Sequence, residues 1–264
     1  MWKWETKEQP KAVIVIIHSA FENHRWYAWL IEKLMTEGYH VVMGDLPGHE
    51  EGSKFTRVHD ELIDEYLLFI KQLMKSALQY HLPVFIIGHG LGGTLAIQFL
   101  RSTKMECAGL VLTAPWLQLH KHSNLLTSAL ASMNIAPSKK VSMEFDRRLF
   151  TRNSDGFLEM EDDVPYHSNV TVRWYRDIQQ LMKNLMTQDK TLSLPILLFT
   201  PNQDKVADSE TARKWLLLQK TSEFQYKDWP HSYHNIFHDY EREEVFLYMR
   251  DFMNNVLRSI GYIV

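Results

Sequence analysis

The sequence predicts an α/β fold, a doubly wound and mostly parallel sheet carrying a helical insertion, and three observations predict it. Short β-branched runs alternate with longer amphipathic stretches, the pattern that feeds a parallel sheet with crossover helices on both faces. The alternation stops after Pro115 and resumes at Pro195. An apolar run, Val84 to Ile87, passes directly into a glycine-rich turn and a helix start, Gly88-His89-Gly90-Leu91-Gly92-Gly93.

In chain order, the predicted strands are AVIVIIH (12–18), HVVMGD (40–45), PVFIIG (83–88), AGLVLTA (108–114), PILLFT (195–200) and EFQYKDW (223–229). Each is bounded by Gly, Pro or a polar cluster, the punctuation that ends strands. Helical periodicity places helices near 25–37, 59–80, 91–102, 207–219 and 241–258. Residues 1–115 and 191–264 thus make the core. Residues 116–190, with helical spacing near 123–134 and 170–187, make an inserted lid within the same structural unit. Met133, Met143, Met160, Met182 and Met186 fall in that insertion. Thioether side chains suit either an adaptable apolar ligand surface or plain gap filling.

Composition narrows the function. A formal charge of −3 with mixed signs offers no basic footprint for a nucleic-acid backbone. The lone Cys107 makes no internal disulfide, and its apolar run predicts an inert thiol, in keeping with a reducing cytoplasm. The polar opening MWKWETKEQPK and the short apolar run behind it give neither a signal sequence nor a membrane span. Peripheral membrane contact through an apolar lid needs no span and stays open. No cofactor motif is present, and oligomeric state is not legible.

The turn at 88–93 has the shape of a nucleophile elbow, G-x-S-x-G, in which a tight strand-to-helix turn lifts one side chain above the sheet edge. Here it reads GHGLGG, with Gly90 where the serine belongs. A residue at that point is held at φ > 0, which glycine tolerates and a side chain resists. Without the elbow serine the chain is expected to be inactive or nearly so, and Gly90→Ser to cost a little stability and to create hydrolysis provided the Ala20 and Leu91 N–H groups are correctly aimed.

With this elbow, the chain resembles α/β-hydrolases of the monoacylglycerol lipase and bacterial lysophospholipase kind, of the serine aminopeptidase S33 type, in which the elbow reads GHSMGG. The resemblance runs over nearly the whole chain. Asn202-Gln203-Asp204-Lys205-Val206-Ala207-Asp208 is similar to the loop that supplies the triad acid, which makes Asp204 the acid. Tyr233-His234 is similar to the stretch supplying the base, which makes His234 the base. The family loop H-G-x-x-E-H is matched by His18-Ser19-Ala20-Phe21-Glu22-Asn23-His24, so Ala20 and Leu91 are the expected oxyanion N–H donors, and Ser19 replaces a glycine. Gly44 to His49 resembles the D-x-x-G-x-G loop, with Glu50 where its last glycine belongs. Thr151-Arg152-Asn153 and Val172 to Tyr175 resemble lysophospholipase-type lids. The substrate implied is a small lipid or acyl ester.

Bland readings stand beside these. His231, His234, His238 and Asp239 match no zinc signature. His89 is expected to pack beneath the elbow, and His18 and His24 to brace the oxyanion loop. Three readings of Gly90 stay open: an ester hydrolase whose elbow serine has been replaced so that substrate binds without turnover, a natural pseudoenzyme binding a lipid or protein partner, or an altered mechanism using Ser19 or a water activated by His234. An aminopeptidase-like hydrolase, with Glu22, Glu50 or Glu51 holding a substrate amine, is a further alternative.

Overall fold

The computed structural model describes residues 1–49, 58–120, 136–143, 146–159, 169–187, 190–221 and 223–262. The expected helical stretch at 123–134, Met133, Met160, Glu50 and Glu51 lie outside the described residues.

The core is a seven-stranded sheet made of β1 (Trp2–Trp4), β2 (Ala12–Ile17), β3 (Tyr39–Met43), β4 (Val84–His89), β5 (Gly109–Thr113), β8 (Ile196–Pro201) and β9 (Phe224–Trp229). Its order is β1-β3-β2-β4-β5-β8-β9. Every pairing is parallel except β1 on β3. The five strands from β3 across to β8 are buried along their whole length. That is why their sequences read as continuous apolar runs and do not alternate.

Helices α1 (Ala28–Thr36), α2 (Ile63–Leu78) and α3 (Gly90–Ser102) connect the first strands. They start and stop within a few residues of the expected spans, with a short 3-10 turn at His24–Tyr27 ahead of α1. The Leu62 backbone N–H donates to the Glu65 carboxylate at 2.7 Å, so the chain entering α2 is tied down before the helix begins.

Within residues 116–190, β6 (Lys140–Ser142) and β7 (Asn169–Thr171) form a small antiparallel pair. Helices α4 (Ser154–Glu159) and α5 (Val172–Thr187) accompany it. The helical spacing expected at 170–187 is α5, which buries Trp174, Ile178, Leu181, Met182 and Leu185 on one face. Its ends are sewn to the core: Trp174 Nε1 donates to Tyr66 Oη at 3.0 Å, and Arg101 Nη1 donates to the Leu185 carbonyl at 3.0 Å. Met143 and Met182 are buried, in line with the packing reading of those methionines. Helices α6 (Ser209–Leu217) and α7 (Arg242–Ser259) complete the core.

The N-terminal segment carries β1, which hydropathy did not foretell. Three residues are too few for a periodic signal. The strand is held by ladder bonds to β3 and by Trp2, whose ring stacks on His24 with centroids 3.9 Å apart.

One topological detail sets up the site. The chain moves from β2 outward to β3, then crosses to the other side of β2 to lay down β4. The loops leaving β2 and β4 therefore part at a switch point, where open α/β sheets place their ligand crevice. The register pairs Ile17 with Gly88, and extending it two residues sets Ser19 beside Gly90.

Candidate active site

Gly90 is the first residue of α3, at φ +51°. The elbow therefore has the left-handed backbone that the sequence foretold. Gly92 fixes the tightness of the turn, since a Cβ there would sit 2.2 Å from the Ile17 carbonyl oxygen. A Cβ on Gly90 would meet a different obstacle: Ser19 Oγ at 2.1 Å, Ser19 Cβ at 2.7 Å and Trp116 Nε1 at 3.2 Å. The room that an elbow side chain would fill is occupied by the hydroxyl of Ser19. This corrects the expectation that Gly90→Ser meets backbone strain alone; it also collides with a neighbouring side chain.

Ser19 is held from several directions. Its N–H donates to Glu22 Oε2 at 2.9 Å, and its carbonyl lies 2.7 Å from His18 Nδ1. The opposite ring nitrogen of His18 accepts from the Leu46 N–H at 2.8 Å, so Nδ1 carries the proton and donates to Ser19. Burial lowers the His18 pKa and keeps that ring neutral. The loop then turns through Phe21 at φ +66°, a conformation that costs a non-glycine residue roughly 1 to 3 kcal/mol and persists only where its surroundings enforce it. The Leu91 N–H, one expected oxyanion donor, gives its hydrogen bond to Ser19 Oγ at 3.1 Å. Ala20, the other, is buried in the same loop.

The acid and base come from the ends of β8 and β9. Both Asp204 carboxylate oxygens face His234 Nδ1, at 3.0 and 2.9 Å. Asp204 Oδ1 also accepts from the Val206 and Ala207 N–H groups at 2.7 and 3.0 Å, which locks the carboxylate in place. On the other side of the ring, Trp116 Nε1 donates to His234 Nε2 at 3.3 Å. A donor at Nε2 and a carboxylate at Nδ1 select one neutral tautomer, with the proton on Nδ1 and the basic lone pair on Nε2. Both side chains are out of solvent.

Beneath this pair lies a buried polar core that the sequence reading did not assemble. Glu22 accepts from Tyr27 Oη at 2.7 Å and from Asn235 Nδ2 at 3.2 Å as well as from Ser19. Its carboxyl is pushed up to about 7, because burial outweighs these three donors. Glu22 thus joins the loop after β2 to the residue that follows His234. His89 is bonded to Thr113 and kept neutral by burial, the packing role expected of it. His24 contacts Asp45 through Nδ1, also as a brace.

Trp116 was not singled out from the sequence. Its only signal there was its position two residues beyond Ala114, the residue after β5, on the edge of the crevice. The Thr151-Arg152 segment of the insertion does reach the base loop: Thr151 Oγ1 donates to the His238 carbonyl at 2.9 Å, and Arg152 pairs with Asp239 at 3.1 Å. The structure does not gather His231, His234, His238 and Asp239 around one point. His231 is exposed, Asp239 serves Arg152 and the Tyr233 N–H, and His234 serves Asp204. Among the described residues no helix is long and apolar enough to cross a membrane.

These features agree with what the chain is similar to. A family model described as serine aminopeptidase, S33, matches residues 8–241. A phospholipase of Bacillus subtilis, YtpA, is 36% identical over 261 residues, covering 97% of this chain and 100% of the relative. Human monoglyceride lipase is 24% identical over 241 residues, covering 88% and 78%. Among solved structures, a monoacylglycerol lipase from Paleococcus ferrophilus superposes with a TM-score of 0.84 at 24% identity, covering 97% of this chain and 98% of that one. The chain belongs to the serine aminopeptidase S33 family of α/β-hydrolases, among its lysophospholipase and monoacylglycerol lipase-like members.

Proposed function

We propose that this protein is a carboxylic ester hydrolase acting on lipids with a single acyl chain, lysophospholipids or monoacylglycerols. The observation that carries the reading is the finished acid–base pair. Asp204 is locked by two backbone donors, and His234 is held in the one tautomer whose Nε2 lone pair, capped in this structure by the Trp116 indole N–H, can take a proton once that contact is released. A site kept only for binding has no use for that tautomer. The phospholipase and monoglyceride lipases among its relatives support an acyl ester as the substrate.

The aminopeptidase-like alternative needs an accessible carboxylate for a substrate amine. Glu22 is buried behind the oxyanion loop and already satisfies three donors of its own chain. That takes Glu22 out of the role, while Glu50 and Glu51 lie outside the described residues. Residues 116–190 act in this reading as a lid, whose Phe150 ring lies 5.8 Å from that of His234, and apolar contact of that lid with a membrane surface would deliver the lipid.

The test is a comparison of turnover on a lysophospholipid, a monoacylglycerol and an aminoacyl amide, with lipid binding followed separately by calorimetry. Hydrolysis of a monoacyl ester with little on the amide is expected. Preference for the amide, or no binding of any monoacyl lipid, overturns the reading.

A further inference from the structure

We propose that Ser19 is the nucleophile of this enzyme: the attacking serine has moved from the elbow after β4 to the neighbouring loop after β2. The inference rests on the hydrolase reading above and names the group that reading leaves open.

Three observations carry it. The first is an exchange of residue types. Where the resembling family has glycine in the loop after β2 and serine at the elbow, this chain has Ser19 and Gly90. A lone loss of the elbow serine would leave a glycine at position 19. The second is spatial. The β2–β4 register sets the two positions side by side, and Ser19 Oγ stands 2.1 Å from where a Gly90 Cβ would be. That is closer than two unbonded atoms can come, so the Ser19 hydroxyl stands in space that an elbow side chain would enter. The third is the hydrogen bonding. Ser19 Oγ accepts from the Leu91 N–H, and among the described residues it donates to none, so its proton is uncommitted. Trp116 Nε1 lies 3.2 Å from the vacated Cβ position and 3.3 Å from His234 Nε2, so one indole N–H touches both the vacancy and the base, and its displacement is what would bring the Ser19 hydroxyl to Nε2.

The exchange preserves the oxyanion site. In an elbow hydrolase one donor is the N–H after the nucleophile, and the other comes from the loop after the earlier strand. With Ser19 as nucleophile, the N–H after it is that of Ala20, and the donor from the other loop is that of Leu91. The pair is the same and the roles are traded.

In the reaction, Ser19 Oγ bonds to the acyl carbon while its proton passes to His234 Nε2, which gives up its contact with the Trp116 indole. The carbonyl π pair moves to oxygen and is held by the Ala20 N–H and by the Leu91 N–H, which exchanges Ser19 Oγ for the oxyanion. Collapse breaks the bond to the alcohol oxygen, which leaves with the proton from His234, and the acyl group remains as an ester on Ser19. Water then attacks that ester, gives a proton to His234, and the acid leaves as Ser19 recovers the proton. The net reaction is ester plus water to acid plus alcohol.

The experiment is labelling of the full chain with an alkyl fluorophosphonate, read by intact mass and peptide mapping, with lysophospholipid binding measured in parallel. Label on Ser19 is expected, lost in Ser19→Ala and slowed at least 100-fold in His234→Ala, while Ser19→Ala still binds lipid. In the doubly exchanged Ser19→Gly/Gly90→Ser variant the label should move to position 90. Absence of label on the wild-type chain, or label on any other residue, overturns the proposal while leaving lipid binding to stand or fall by itself. Turnover by Ser19→Ala within tenfold of wild type would overturn it equally.

Discussion

The two halves of the site are built on different principles. At the ends of β8 and β9, Asp204 and His234 meet through their own side chains, with the Val206 and Ala207 N–H groups aligning the acid and the Trp116 indole N–H on the base. At the ends of β2 and β4, the functional geometry belongs to the backbone: two N–H groups, two tight turns, and room for one side chain that either loop can supply. A half made of dedicated side chains tolerates no exchange of residues. A half made of backbone does: in the exchange proposed above, the serine hangs from the other of two adjacent loops and is served by the same two N–H groups.

The largest expected effect breaks the rigid half. Asp204→Asn keeps the size of the acid but presents an amide to His234 Nδ1, which loses the tautomer selection. A fall in kcat of about 10⁴-fold is expected on an acyl ester, as for loss of the orienting acid in other triads. A loss of less than tenfold would mean that His234 does not act through Asp204.

A smaller effect sharpens the exchangeable half. Gly90→Ser alone introduces a side chain at φ +51° and overlaps Ser19. Strain of about 1 to 3 kcal/mol and overpacking of a similar size should lower Tm by several degrees. Adding Ser19→Gly removes the overlap, so the double variant should recover part of the Tm and exceed the single variant in ester turnover by at least tenfold. Equal behaviour of the two would show that positions 19 and 90 do not share space.

The smallest effect probes the joint between the halves. Glu22 is raised from 4.5 to about 7 by burial, so the folded state holds its proton more tightly than the unfolded chain does. Its contribution to stability is complete below about 4.5 and is lost as pH rises through about 7. The full loss amounts to roughly 3 kcal/mol at most. Glu22→Gln stays neutral, so the fall in Tm between pH 5 and pH 8 should be shallower than in wild type. An unchanged slope in thermal melts would assign that pH dependence to other groups.

Much of this was legible in the sequence. The buried strands announce themselves as apolar runs, and the elbow glycines and the Asp204 and His234 loops follow a known order along the chain. What could not be read was proximity. The sequence offers Ser19 as one open reading, but a loop position gives no hint of which neighbour lacks a side chain. Only the β2–β4 register brings the vacancy at Gly90 and the hydroxyl of Ser19 together. Trp116 and the buried Glu22–Tyr27–Asn235 cluster stayed hidden for the same reason, since their partners are distant in sequence. Strand β1 stayed hidden because three residues carry no period.

That short strand has a practical meaning. Trp2 to Trp4 cover the open edge of β3, and the Trp2 ring lies flat on His24, whose backbone N–H and Nδ1 both contact Asp45 in the loop beyond β3. The first residues therefore act as a clasp on the loop that carries Ser19. An affinity tag fused ahead of Met1 would load this clasp and expose an unpaired sheet edge, a template for aggregation. A tag at the opposite end, past α7, would leave it shut. Preparations of the same protein tagged at opposite ends should then differ in specific activity and in shelf life, although their cores are identical.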